Sequence, residues 1–343
     1  MKLPKDFLWG GSVSAHQTEG AVGPEYGKGP SIYDYLKEKG ICNFDQGIDA
    51  YHRYREDARL FGELGLNCYR FSISWSRVLP DGEGEINEEG MAFYEDFVDA
   101  LLENGIEPMV CLYHFDTPLA LQKKYNGWLS RETVKAYARY AAIVMERLGG
   151  KVKYWIPMNE QNGCPLVGMI SSGIKPDHPD FDRLRSQLTH NLALASAWVT
   201  ENKRTYAPQA TVIGMINAGP VYPATCRPED VRAAQGLSEV YNLELLQLLT
   251  RGTYGKSLWR RMERQGILPE AEEGDWEFLK RNTVDAVGIS YYASKTVSGQ
   301  NKNADLSRDL LRTFTGGKSA FDPNPYLEAT QWGWTVDPEG LRI

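Results

Sequence analysis

A glutamate at position 160, with an asparagine before it at 159, closes the apolar and aromatic run that begins at Tyr154. A carboxyl group at the end of such a run is placed to give a proton to a bound molecule or take one from it. Other apolar runs end in the same manner, in His16-Gln17-Thr18-Glu19, in His114-Phe115-Asp116 and in Tyr291-Tyr292, and Arg70 lies within the run Cys68 to Ser74. Amide, imidazole, hydroxyl and carboxyl groups gathered from separate segments are the side chains that bind sugars. Each has a plainer role as well. A Glu after a strand complements the positive N-terminus of the next helix, Gln17 and Asn159 can satisfy buried backbone groups, and a lone histidine such as His114 suits a core as well as a site. Arg70, between Tyr69 and Phe71, is harder to explain in that way, because a guanidinium in an apolar strand must meet an anion or several carbonyls.

These residues need elements to carry them. Short apolar runs alternate with segments of helical period, the pattern of β/α units that form a parallel sheet. Strands are expected at Phe7 to Ala15, Cys68 to Ser74, Glu107 to His114, Tyr154 to Glu160, Thr211 to Gly219 and Asp285 to Tyr292. Tyr54, Ala58 and Phe61 share one helical face, as do Phe93, Phe97 and Leu101 in a helix opened by Asn87 and closed by Gly105. Ser130 opens a third helix, which stops at Gly149-Gly150, where a positive φ costs little. Six parallel strands fit an open doubly wound sheet or an incomplete eight-stranded barrel. The strand ends favour the barrel: Gly10-Gly11 lies inside the first strand and leads to no phosphate cradle, and polar residues stand at the C-terminal ends of several strands, where barrels build active sites. With no repeat and no Gly/Ser linker, one domain over residues 1–343 is expected.

Composition removes other classes. A net charge of −7 offers no basic surface for nucleic acid. No stretch reaches membrane-span length and no apolar leader follows the N-terminal lysines. Five scattered cysteines suit reduced core residues, and five histidines without paired spacing give no zinc site. A cytoplasmic enzyme is the expectation.

Whole strings, beyond single residues, resemble glycoside hydrolase family 1. They are Phe7-Leu8-Trp9-Gly10-Gly11 through Gln17-Thr18-Glu19-Gly20, the stretch from Tyr69 to Arg77, Pro157-Met158-Asn159-Glu160, Trp332-Gly333-Trp334, and Asp337 to Leu341. The resemblance implies a TIM (β/α)8 barrel, here incomplete, with strands 1 to 6 present and strands 7 and 8 missing. It implies a retaining β-glycosidase in which Glu160 is the general acid/base and Asn159 donates to the sugar 2-hydroxyl. Gln17 and His114 would meet hydroxyls across the ring, Arg70 and Tyr292 would orient the nucleophile, and Trp334 would be the platform under the leaving group. Phe115, where plain glucosidases usually carry Trp, is similar to the 6-phospho-glycosidase branch. Ser290 stands where the family commonly has Asn.

Retaining chemistry needs a second carboxyl group about 5–5.5 Å from the first. In the family it lies in an Ile-Thr-Glu-Asn-Gly string, which is absent here, and Glu19 and Asp116 look structural. The expectation is therefore a 6-phospho-β-glucosidase barrel without its nucleophile, inactive as given and with unpaired strand edges that leave a homo-oligomer open. The runner-up enzymes are a plain β-glucosidase and a 6-phospho-β-galactosidase. From another class comes a non-catalytic remnant that binds sugar or a partner. The ligand is a small β-glucoside, and no cofactor is implied.

Overall fold

Strand-forming runs and amphipathic helices alternate along the chain as their periodicity requires. The computed structural model describes residues 3–172, 174–175, 177–305, 308–309 and 318–343. Its strands are β1 (Gly10–Ser12), β2 (Cys68–Ser72), β3 (Glu107–Cys111), β4 (Tyr154–Ile156), β5 (Thr211–Asn217), β6 (Val221–Pro223), β7 (Ala286–Ser290) and β8 (Lys295–Val297). Among the described residues six of them form one sheet in the order β1-β2-β3-β4-β5-β7, while β6 and β8 pair separately. The pairings from β1 to β5 are all parallel, with Gly10 opposite Cys68, Cys68 opposite Glu107, Met109 opposite Tyr154 and Tyr154 opposite Thr211. Sequential parallel order is that of a (β/α)8 barrel, of which the described residues carry six strands.

All six expected strands are present but shorter. The first shrinks from Phe7–Ala15 to β1, because residues Ala15–Thr18 coil into a helical turn. β1 also shows why glycine leads it: a Cβ on Gly10 would lie 2.3 Å from the Cys68 carbonyl oxygen, so only glycine allows that approach.

By internal contacts the chain divides into two units, one of Met1–Asn159, Leu194–Gly214 and Val284–Ala286, the other of Glu160–Ala193, Met215–Thr283 and Val287–Ile343. In the first unit the three expected helices form at Ala50–Leu64, Glu88–Glu103 and Arg131–Leu148. Phe97 packs on Phe71 of β2 at 4.7 Å between ring centres, and Phe61 stacks on Tyr69 at 4.3 Å. Burial of each such ring contributes about 1.5–3 kcal/mol. Ser130 caps the third helix by accepting from the Glu132 N–H at 3.1 Å.

That third helix does more than cover the sheet. The Tyr140 hydroxyl donates to the Leu112 carbonyl at 2.9 Å and contacts that of Ile73 at 3.3 Å, and the Tyr137 hydroxyl donates to the Pro157 carbonyl at 2.5 Å. Two phenols thus hold backbone just past the C-terminal ends of β2, β3 and β4. The glycine at the end of the helix is there for a different reason than expected. Neither Gly149 nor Gly150 has positive φ. Gly149 is required by space, since a Cβ there would sit 2.3 Å from the Tyr206 carbonyl oxygen and 2.4 Å from that of Met145.

In the second unit, His190 and Asp275 form a buried pair at 3.0 Å, and Arg185 meets Glu244 at 3.1 Å. The helices Pro228–Ser238 and Glu244–Arg251 are joined by a π-helical turn, Glu239–Leu243.

Candidate active site

Ladder-like hydrogen bonds run beyond the strand ends in the first unit: Ile73 N–H to Cys111 O and Leu112 N–H to Ile156 O, each at 2.9 Å, then Asn159 N–H to Tyr113 O, also at 2.9 Å. They set Asn159 at the C-terminal end of β4. Arg70, on the interior of β2, is buried, and its guanidinium donates to Asn159 Oδ1 at 2.7 Å. Two residues far apart in sequence and expected in one site are thereby joined. With its oxygen turned to a cation, the Asn159 amide has its orientation set and its NH₂ is the donor end.

His114 follows β3, half-buried, with Phe115 beside it at 5.1 Å between ring centres. Phe115 holds φ +68°, a conformation that costs a non-glycine residue about 1–3 kcal/mol and recurs at ligand sites. The His114 ring also lies 5.3 Å from His16, which stacks on Tyr33 at 3.8 Å. Burial is the main force on both imidazoles. It pushes His114 down to about 3, helped by Arg70, and lowers His16 well below the usual value, helped by His114 and Lys28. Both rings are neutral near pH 7, each able to donate from one nitrogen and accept at the other. Gln17 is exposed and accepts from the Ser14 hydroxyl at 2.6 Å through its side-chain oxygen.

The two carboxylates nearest these residues in the sequence behave differently. Glu19 is buried and engaged on both sides, accepting from Arg77 Nε at 2.9 Å on one oxygen and from the Tyr94 hydroxyl at 2.6 Å on the other. Asp116 is buried, accepts from the His114 N–H at 3.2 Å, and is pushed up to about 6 by burial.

The chain enters the second unit at Glu160. This half-buried residue has φ +37°, a second strained backbone position among candidate residues. Both carboxylate oxygens accept hydrogen bonds: the Tyr292 hydroxyl donates to Oε1 at 2.6 Å, and Asn217 Nδ2 donates to Oε2 at 3.1 Å. Trp334 stands beside Tyr292 at 5.5 Å between ring centres, about half of each residue exposed. Glu160, Tyr292 and Trp334 are therefore together in this unit, as Arg70, Asn159, His114 and Phe115 are grouped in the other.

Asn217 is not among the residues that the sequence singles out. It ends β5, so the rule that picks out polar residues at strand ends could have found it. Tyr241, which donates to Asn217 Oδ1 at 2.5 Å, carries no such signal, since it lies within a helical stretch. Among the described residues no group of three or more His, Cys, Asp or Glu is placed to hold a metal ion, and no helix is long and apolar enough to cross a membrane.

The sequence profile described as "Glycosyl hydrolase family 1" matches residues 1–343. This chain belongs to glycosyl hydrolase family 1. Among its relatives, the aryl-phospho-β-D-glucosidase BglC of Bacillus subtilis is 38% identical over 357 residues, covering 99% of this chain and 74% of that protein. A 6-phospho-β-galactosidase of Clostridium acetobutylicum is 35% identical, covering 98% of this chain and 74% of its own length. The family 1 β-glucosidase of Thermotoga maritima superposes with a TM-score of 0.83 at 32% identity, over 99% of this chain and 74% of that one.

The family 1 chain contains one string close to Ile-Thr-Glu-Asn-Gly, namely Val199-Thr200-Glu201-Asn202-Lys203. It lies within the long helix Phe181–Tyr206, where Glu201 pairs with Arg204 one turn on. A carboxylate paired along a helix surface is not a strand-end nucleophile.

Proposed function

We propose that this family 1 glycosidase chain supplies the acid/base half of a retaining site for 6-phospho-β-glucosides. The observation that carries the reaction is Glu160, a carboxyl at the end of the β4 segment with a phenol on one oxygen and a carboxamide on the other. Those two donors fix the plane of the carboxyl that, in this reading, protonates the departing glycosidic oxygen. Asn159, with its oxygen held by Arg70, donates to the sugar 2-hydroxyl. Neutral His114 and exposed Gln17 take hydroxyls on the other side of the ring. Trp334 stacks under the leaving group and Arg70 orients the attacking carboxylate, while the one O–H of Tyr292 goes to Glu160 Oε1.

The phosphorylated substrate is supported by Phe115, which cannot donate to a free sugar hydroxyl, and by relatives named as phospho-glycosidases. A cytoplasmic location suits such a substrate. We infer that the nucleophile is not among these 343 residues, because Glu19 is consumed by Arg77 and Tyr94 and Glu201 lies in a helix.

The test compares 4-nitrophenyl 6-phospho-β-glucoside with its unphosphorylated and galacto counterparts, using the product of the complete reading frame and the 343-residue chain side by side. Turnover of the phosphorylated glucoside with retained configuration supports the substrate reading, and preference for either counterpart overturns it. Retaining hydrolysis by the shorter chain itself overturns the inference about the nucleophile. In whichever protein turns over, Glu160→Gln lowers kcat by about 10²–10⁴ for substrates with poor leaving groups. An unchanged rate removes Glu160 from the chemistry.

A further inference from the structure

The carboxamide that meets Glu160 is itself held, and by an uncommon device. A π-helical turn closes i→i+5 hydrogen bonds in place of i→i+4, is rare, and occurs frequently at functional sites. The turn Glu239–Leu243 presents two neighbours, Tyr241 and Asn242, to the end of β5. Asn242 brackets Gly219, accepting from its N–H at 3.3 Å and donating to its carbonyl at 3.0 Å. Tyr241 donates its hydroxyl to Asn217 Oδ1 at 2.5 Å.

Asn162 then ties the turn to the strand. Its oxygen accepts from the Asn217 N–H at 2.9 Å, and its Nδ2 donates to the carbonyls of Asn217 at 2.7 Å and of Tyr241 at 3.2 Å. The backbone on both sides of the Tyr241–Asn217 contact is therefore fixed by one side chain two residues beyond Glu160.

The chemistry of a carboxamide gives this arrangement a direction. Asn217 has one oxygen that only accepts and one NH₂ that only donates, and the two ends are nearly equal in size. Left alone, the amide can turn over and set its oxygen against the carboxylate. A phenol donating to Oδ1 on one side and an accepting carboxylate on the other favour a single sense, with the NH₂ facing Glu160 Oε2 at 3.1 Å.

We propose that Tyr241 is a positioning residue of this site: acting through Asn217, it orients the Glu160 carboxyl from the π-helical turn. The proposal rests on the reading of Glu160 as the acid/base. It adds that the aim of this group is set by residues 57 positions away at Asn217 and further on at Tyr241. Tyr292 approaches the other oxygen independently of this relay.

The experiment follows the side-chain carboxyl ¹³C signal of Glu160 in selectively labelled protein, identified by its loss in Glu160→Gln. The probes are Tyr241→Phe, Asn217→Ala and the double variant. Tyr241→Phe is expected to move the signal in the same direction as Asn217→Ala, and the double variant to coincide with Asn217→Ala alone, because the relay passes through one amide. A signal unmoved by Tyr241→Phe overturns the proposal. So does a double variant whose shift is the sum of the two singles, which would mean that Tyr241 acts on Glu160 by another route.

If Tyr241→Phe does not fold, the same relay is read in the opposite sense with Tyr241 intact: Glu160→Gln must move the Asn217 Nδ2 and Tyr241 ring signals, and a stationary Tyr241 overturns the proposal. These signals report positioning alone. The acid/base role stands or falls separately, on the effect of Glu160→Gln on kcat.

Discussion

Asp116 offers the sharpest test of how the first unit is built. Its carboxyl is buried beside His114, and burial raises it from 3.8 to about 6 against the weaker opposing pull of backbone N–H groups and Lys28, with Glu19 pushing the same way as burial. Because the folded-state value lies above the unfolded one, the unfolded chain ionises first as pH rises. Stability associated with this group is therefore complete below about pH 4 and is lost as pH rises through about 6. At about 1.36 kcal/mol for each pH unit between the two values, the full loss comes to ~3 kcal/mol, with most of it falling between about pH 4 and 6.

Asp116→Asn removes the titration and keeps an oxygen to accept from the His114 N–H. His16 and His114 work in the other sense: their lowered values mean that stability is lost as pH falls below about 6.5, but both are present in wild type and variant and cancel in the difference. The assay is urea unfolding of the two proteins at steps from about pH 4 to pH 8. The wild type should lose about 2–3 kcal/mol relative to Asp116→Asn across that range. Curves that stay parallel to within about 0.5 kcal/mol would refute the claim that Asp116 is a carboxyl held neutral by burial.

Three further outcomes follow from the packing. Arg77→Met should destabilise the chain by about 3–5 kcal/mol in the same unfolding assay, because it takes the cationic partner from the buried Glu19 carboxylate and leaves it the neutral Tyr94 hydroxyl at 2.6 Å; adding Glu19→Gln should recover part of that loss. Gly149→Ala should cost about 1–3 kcal/mol or more through its clash with two carbonyl oxygens, whereas Gly150→Ala, with nothing within 4 Å of the added methyl, should be neutral or stabilising. Ser130→Ala should cost about 1 kcal/mol by removing the cap on Glu132, seen as a lower urea midpoint with unchanged slope.

Much of the architecture is legible in the sequence, for a local reason. The six sheet strands and the three helices after Asp49, Asn87 and Ser130 are written in the period of neighbouring residues, and burial of the apolar face is enough to realise them. Strand limits read from that period run too long, because polar residues such as His114 and Asn159 follow the regular strands and Asn159 continues the ladder hydrogen bonds past them. The glycine pair at Gly149-Gly150 marks the end of the third helix correctly, but neither has the positive φ that the pair suggests, and the close approach to Tyr206 that requires Gly149 is invisible in two adjacent residues.

By itself the sequence determined the family, the order of the strands and the candidate carboxyl at 160, because strings of residues and hydrophobic period are properties of adjacent positions. Tertiary structure alone decided what surrounds that carboxyl. Tyr292 reaches it across 132 residues and Asn217 across 57, and Tyr241 arrives on a helical turn whose π geometry no period reveals. A hydrogen bond depends on where two distant backbones bring their side chains, and that is settled only when the whole chain has packed.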